Sequence, residues 1–195
     1  MMTLFWYLTK DYQQAFRYKK KGLIAAQGVT FGQHMFRIIF FKLIYTGIFL
    51  FLPIYFGGAG WITNVLGFLL MQFICGLILA MIFQPAHVVP TSTFPVPNNS
   101  GVVEADWAVS QLYNTANFAP KAKLFSWYVG GLNYQVEHHL FPSICHIHYN
   151  KISKIVEQTA KEFQLPYHSY QTFLDALSEH TRMLKELGKP NPVLA

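Results

Sequence analysis

Two stretches of this chain stay apolar for longer than a folded core requires, and the segments after them break into turns and short amphipathic runs. Between Trp61 and Phe83 there is no Asp, Glu, Lys, Arg or His. At about 1.5 Å per residue that stretch reaches roughly 34 Å as a helix, the depth of a bilayer core. A buried helix of a large soluble core is the competing reading, but such helices seldom run so far without a charge. Residues 36–56 form another span, the first of the two in chain order. Arg37 and Lys42 lie near its start, where long side chains snorkel to headgroups, and Pro53 lies near its far end, where it is tolerated. Gly57-Gly58-Ala59-Gly60 separates the two without a charge. Together they predict a transmembrane hairpin over 36–56 and 61–83.

The polar segments supply the rest of the outline. Residues 1–35 read as an interfacial segment anchored by Phe5, Trp6, Tyr7, Tyr12, Phe16 and Tyr18. Residues 84–195 read as a helical cap. Pro90, Pro95, Pro97, Asn98, Asn99 and Gly101 mark a turn-rich linker, and residues 104–118 predict an amphipathic helix. Ile152, Ile155, Val156 and Phe163 recur at helical spacing, with Asn150 as N-cap and Pro166 as the stop. Ser169 is placed to cap a last helix, with Phe173, Leu174, Leu177 and Leu184 on one face and Gly188 at its end. The predicted class is an all-α membrane protein, a helical hairpin plus a helical cap.

Charge fixes orientation and narrows the function. Of 195 residues, 52% are hydrophobic, 17% aromatic and only 12% charged, about half the charged share of a soluble domain. The formal charge of +6 therefore argues for membrane topology rather than nucleic acid. Its one tight cluster, Arg17, Lys19, Lys20 and Lys21, stands just before the first span, and Lys121 and Lys123 follow the second. The turn between the spans carries none, so both termini are expected on the cytoplasmic side of a multi-pass protein. Cys75 and Cys145 supply no disulfide framework, and Cys75 reads as a small buried hydrophobe.

The chemistry concentrates in Asn133-Tyr134-Gln135-Val136-Glu137-His138-His139-Leu140-Phe141-Pro142. If this stretch is helical up to Phe141, His138 and His139 flank the direction of Gln135 within an arc of about 100°, and Glu137 points away. One face then offers two imidazoles and an amide. Neutral imidazole suits iron, zinc and copper, and an amide oxygen ligates weakly or holds a water. His87 closes the second span, where an ionisable side chain is a functional candidate. A metal-free surface pair is the bland alternative for His138 and His139, as an ordinary interfacial histidine is for His87. His146 and His148 are candidates for supporting contacts behind the ligands. His34, His168 and His180 stand alone as surface histidines.

That decapeptide resembles the third histidine box of membrane fatty-acid desaturases. Gln rather than His at its first position is similar to the front-end subgroup, whose eukaryotic members are often fused to cytochrome b5, and to bacterial linoleoyl-CoA-type and acyl-lipid desaturases. The likeness extends over Lys10-Asp11, the hairpin, residues 83–89, Thr115-Ala116-Asn117-Phe118-Ala119 and residues 143–149. It implies a di-iron, dioxygen-dependent enzyme of lipid metabolism that puts a double bond into an acyl chain, carried as acyl-CoA or acyl-lipid. His138, His139 and His87 would be iron ligands, with Gln135 at a position held by His in other subgroups. Cytochrome b5 or ferredoxin would deliver electrons.

The family's two earlier boxes, His-x-x-x-His and His-x-x-His-His, do not occur in this sequence. It therefore reads as a partial desaturase fold, the C-terminal portion of the family pattern, with an incomplete iron site. An N-terminal desaturase half is an expected partner, and little activity is expected without it. The alternatives are a non-catalytic membrane protein that binds lipid or partners a desaturase, and a single-metal or haem protein using His87 with the box.

Overall fold

Asn64 supports the start of one of two long apolar helices by donating from Nδ2 to the carbonyls of Ala59 (3.1 Å) and Gly60 (3.2 Å). In the computed structural model, which describes residues 2–93, 98–101 and 106–190, that helix is Trp61–Phe83. The other runs Phe31–Phe56. Thr30 and Gln33 close a reciprocal capping box at its start, which satisfies two backbone donors. Both helices are long and apolar enough to cross a membrane. Phe36, Leu43, Tyr55 and Leu66 are among the many large apolar side chains they expose. Cys75, expected to be buried, is exposed as well, because its helix presents an apolar surface nearly all round.

The chain divides into two units, Met1–Leu79 and Ala80–Ala195. In the first, a helical run leads from Met2 to Lys20 through a π-wound turn at Trp6–Lys10. It is fastened by polar contacts. Thr3 Oγ1 donates to the Gln72 carbonyl (2.7 Å), Gln72 Nε2 donates to Tyr45 Oη (2.6 Å), and Lys42 pairs with Asp11 (2.8 Å). Gly76 makes this approach possible, since a Cβ there would stand 3.2 Å from Thr3 Oγ1.

The second unit corrects the all-α expectation. It is mostly helical, but β1 (Ala116–Phe118) and β2 (His168–Tyr170) pair in parallel, Ala116 opposite His168 and Phe118 opposite Tyr170. Three-residue strands show no alternation long enough to betray them. The helix expected over 104–118 is correspondingly short, Trp107–Asn114, with Asp106 Oδ1 accepting from Ala108 N and Val109 N. Its expected start at Glu104 lies outside the described residues, as do Pro95 and Pro97 of the linker.

Three helix ends also differ from expectation. The helix Tyr149–Glu162 begins before Asn150, whose side chain instead donates to Tyr134 Oη (2.5 Å). It ends before Pro166 because Gln164 turns left-handed (φ 56°) and Leu165 N returns to the Ala160 carbonyl (2.8 Å). The last helix, Phe173–Leu187, is capped by Thr172 in a box with Asp175, while Ser169 lies within β2.

Two small cores flank β1. Ala86, Phe118, Ala119 and Ala176 form one, and Leu112, Val136, Val156 and Ala160 the other. Alternation along β1 sends Phe118 into the first core and leaves Asn117 to face Glu137.

Candidate metal centre

The decapeptide is anchored before its helix begins. Gly130 and Gly131 take φ of 60° and 75°, a conformation glycine adopts without strain. Asn133 then donates to Ser126 Oγ (2.9 Å) and to the Ala119 carbonyl (3.3 Å), while its own carbonyl accepts from Phe118 N (3.0 Å). Tyr134 Oη donates to the Pro120 carbonyl (2.6 Å). The helix proper is Gln135–Leu140, shorter than the sequence suggested.

Within that helix Val136 and Glu137 face the interior. Asn117 Oδ1 accepts from Val136 N (2.9 Å), and Asn117 Nδ2 donates to Glu137 Oε2 (2.8 Å). Tyr167 Oη donates to Glu137 Oε1 (2.9 Å). Burial pushes the Glu137 carboxyl up from its ordinary value, and the bonds from Asn117 and Tyr167 oppose that push. Burial likewise raises the Tyr167 phenol, with the adjacent Glu137 charge adding to it.

The opposite face carries the convergence. Gln135 Nε2 lies 3.4 Å from His87 Nε2 and 3.3 Å from His139 Nε2, so two imidazoles from segments 52 positions apart meet at one carboxamide. The His87 and His139 ring centroids are 5.0 Å apart. His87 reaches this point because its backbone N–H closes the 3₁₀ turn Gln84–Ala86 onto the Gln84 carbonyl (3.0 Å).

The far nitrogens determine the tautomers. His87 Nδ1 faces the Asn114 carbonyl (3.5 Å), which only accepts, and His139 Nδ1 donates to Gln111 Oε1 (2.7 Å). Each ring therefore keeps its proton on Nδ1 and turns an Nε2 lone pair toward Gln135. Burial lowers the pKa of both. His139, with His87 and His138 adding their repulsion, falls to about 4. Both are neutral at pH 7, the state in which imidazole binds metal.

His138 lies beside the pair rather than in it. Its ring centroid is 5.8 Å from that of His139, and Nδ1 lies 3.4 Å from Tyr149 Oη. His146 and His148 are exposed, and His146 packs over Gly131 rather than over the imidazoles. Of the histidines read as solitary, His180 donates from Nδ1 to the Val88 carbonyl (2.8 Å) and so steadies the segment after His87. His168 sits in β2.

A metal would find a partial donor set here. Two oriented neutral imidazoles fit one, and Gln135 Oε1 is buried without a hydrogen-bond partner. No group of three or more His, Cys, Asp or Glu side chains among the described residues is arranged to hold a metal ion. Any metal would need donors beyond these.

Sequence reasoning did not find Gln111, Asn114, Asn117, Tyr149 or Tyr167. Gln111 and Asn114 did leave a signal, since residues three apart share one face of a helix. Asn117 and Tyr149 stand inside stretches of the family likeness but have no role that spacing reveals, and Tyr167 is remote in sequence and left no signal.

A family model for fatty acid desaturase matches residues 1–171. An acyl-lipid (8-3)-desaturase of Physcomitrium patens is 43% identical over 152 residues, which are 77% of this chain and 32% of the relative. An sn-1 linoleoyl-lipid 6-desaturase of Arthrospira platensis is 39% identical over 151 residues, 77% of this chain and 40% of the relative. Another sn-1 linoleoyl-lipid 6-desaturase, from a Synechocystis species, is 42% identical over 115 residues, 58% of this chain and 32% of the relative. The chain thus spans roughly a third of the length of these relatives. No solved structure matches it.

Proposed function

We propose, for a chain that belongs to the fatty acid desaturase family, that it forms the C-terminal part of a membrane acyl desaturase. Its share of a di-iron site would be His87, His138 and His139, with Gln135 between the imidazoles. The observation that carries this reading is the convergence of two neutral Nε2 lone pairs on one buried carboxamide. Iron held there would supply the oxidising power that an unactivated C–H bond demands, since that bond offers no acid or base handle.

The residues of this chain have definable tasks in such a site. Gln111 and the Asn114 carbonyl hold the imidazole tautomers. Glu137, Asn117 and Tyr167 lock the helix that presents His138 and His139. The remaining donors would come from the family's other two histidine boxes, on an N-terminal half. We place the two apolar helices across the bilayer and both termini in the cytoplasm, because Lys and Arg cluster at the outer ends of the hairpin. The substrate would be the acyl chain of a lipid or an acyl-CoA, with cytochrome b5 or ferredoxin as electron donor.

Co-expression with an N-terminal half carrying both other boxes tests the reading. The expected result is membrane-bound iron and new double bonds in cellular acyl chains, both lost on His87→Ala or His139→Ala. Membranes with neither iron nor new double bonds would leave a non-catalytic, lipid-binding protein as the answer. A Soret band in the purified chain would replace di-iron with haem.

A further inference from the structure

The first unit contains a cleft of about 680 Å³ that shares no residue with the imidazole cluster. Its walls come from the N-terminal helical run, from Gln27, from one face of the helix Phe31–Phe56, and from Gln72. Along that helix His34, Arg37, Ile38, Phe41, Lys42 and Tyr45 all border it, the spacing of a single helical face. Charged and apolar side chains are thus mixed on one wall, in a helix otherwise suited to hydrocarbon. Ionisable groups in such a helix mark functional positions.

We propose that this cleft binds the phosphate ester of an amphiphilic acyl carrier, with the phosphate at Arg37 and the hydrocarbon leaving along Ile38 and Phe41. Lys42 is held in place. Asp11 lies 2.8 Å from its Nζ, the Tyr7 carbonyl accepts from it, and the rings of Tyr7 and Tyr12 lie beneath it at 4.5 and 4.9 Å. Its charge is therefore spoken for by Asp11. Arg37 has no carboxylate within ion-pairing distance among the described residues. Two cations and one anion line the cleft and leave one positive charge in surplus, which matches the single negative charge of a phosphodiester. A guanidinium fork also presents paired donors to phosphate oxygens.

The surroundings favour an anionic lipid-type ligand. Residues Arg17, Lys19, Lys20 and Lys21 lie at the end of the helical run that packs on the start of Phe31–Phe56. Phe16 meets Phe31 at 5.3 Å between centroids, and Lys19 Nζ lies 4.5 Å from the Phe31 ring. Clustered cations beside an apolar helix draw anionic headgroups to the surface. A volume of this size suits a small ligand group.

The inference rests on the acyl-desaturase reading only for the identity of the hydrocarbon, and its test needs neither iron nor turnover. The 195-residue chain in neutral detergent is titrated with dioleoyl-phosphatidylglycerol or with dioleoylglycerol, and bound ligand is read by native mass spectrometry. The phospholipid should be retained at least about tenfold better. Arg37→Gln should weaken its binding about tenfold, the worth of one charge-assisted contact, while Lys121→Gln, a cation outside the cleft, should not. Displacement by coenzyme A would identify a thioester carrier as the source of the phosphate, and persistence of the phospholipid would identify a headgroup. Equal retention of the uncharged glyceride, or an Arg37→Gln chain that binds like the parent, would overturn the proposal. A protein that binds phosphatidylglycerol but makes no double bonds with its N-terminal half would sink the desaturase reading and leave the cleft in place.

Discussion

Tyr167 donates its hydroxyl to Glu137 across 30 positions of sequence, at 2.9 Å, in the interior of the second unit. Asn117 binds the carboxylate's other oxygen at 2.8 Å and also reaches Tyr167 Oη at 2.8 Å. A strand, the imidazole-bearing helix and the segment before β2 therefore meet at a carboxylate with no solvent exposure. Removing one donor leaves an acceptor underbonded where water does not reach it, which costs about 1–3 kcal/mol. Tyr167→Phe should therefore lower the melting temperature by several degrees, read by circular dichroism in neutral detergent. An unchanged melt would show that this carboxylate does not hold the helix.

Gln111 touches no proposed iron position, yet it sets which nitrogen of His139 carries the proton. Supporting hydrogen bonds of this kind are worth about 10–100-fold in metal affinity. Gln111→Leu, in the chain assembled with an N-terminal half, should weaken Co(II) or Fe(II) binding by that range with little loss of helix content. Metal titration followed by absorption and circular dichroism separates the two.

The last helix offers a test of which residue starts it. Thr172 completes a reciprocal box with Asp175, so Thr172→Ala should cost about 1 kcal/mol. Ser169→Ala should stay within about 0.5 kcal/mol, as exposed positions without a cap role do. Paired thermal melts give both values, and a reversed ranking would refute the cap.

Gly131 meets two constraints at once. Its φ is 75°, and a Cβ there would lie 2.8 Å from His146 Cβ. The conformation alone costs an ordinary residue about 1–2 kcal/mol, and the contact adds to it. Gly131→Ala should thus destabilise more than Gly130→Ala, which has the same kind of φ but open space around it. Melting curves of the two variants decide.

His168 carries a pKa lowered by burial alone. The unfolded chain then binds a proton that the folded one resists, so its contribution is intact above the ordinary histidine value near 6.5 and declines as pH falls through it toward the folded value. His87 and His139 shift in the same direction. Melting temperature should drop between pH 8 and pH 5.5, and less steeply in His168→Gln than in the parent. Equal slopes would exclude His168 as a contributor.

The parts of this protein that could be read beforehand are those whose cause is local. A run without charge from Trp61 to Phe83 carries its own signal, and it is one helix. The angular relation of Gln135 to His139 follows from helical pitch, and the two side chains do meet. His138 shows the limit of that argument. Pitch placed it on the same face, but Tyr149 stands at its Nδ1 and the ring sits beside the pair. Tyr167, Asn117 and the strands arise from contacts between distant segments, and no periodicity foreshadows them. Asn150, Pro166 and Ser169 were each plausible boundary residues. Local competitors decided the outcome: Gln164 turned left-handed, Thr172 had its acid three residues on, and Asn150 found Tyr134.

The parallel clasp of β1 to β2 bears on how the protein is made. Ala116 finds its partner only when His168 exists, and the imidazole-bearing helix lies in the loop between them. During synthesis that helix emerges with Asn117 already present to hold Val136 and Glu137, and it waits for Tyr167 and β2 to complete the enclosure. Non-local closures of this type form slowly. A ribosome stalled shortly after Pro142 would hold a nascent chain with every histidine of the cluster and its Gln111, Asn114 and Asn117 partners present, but with Glu137 still lacking its Tyr167 donor.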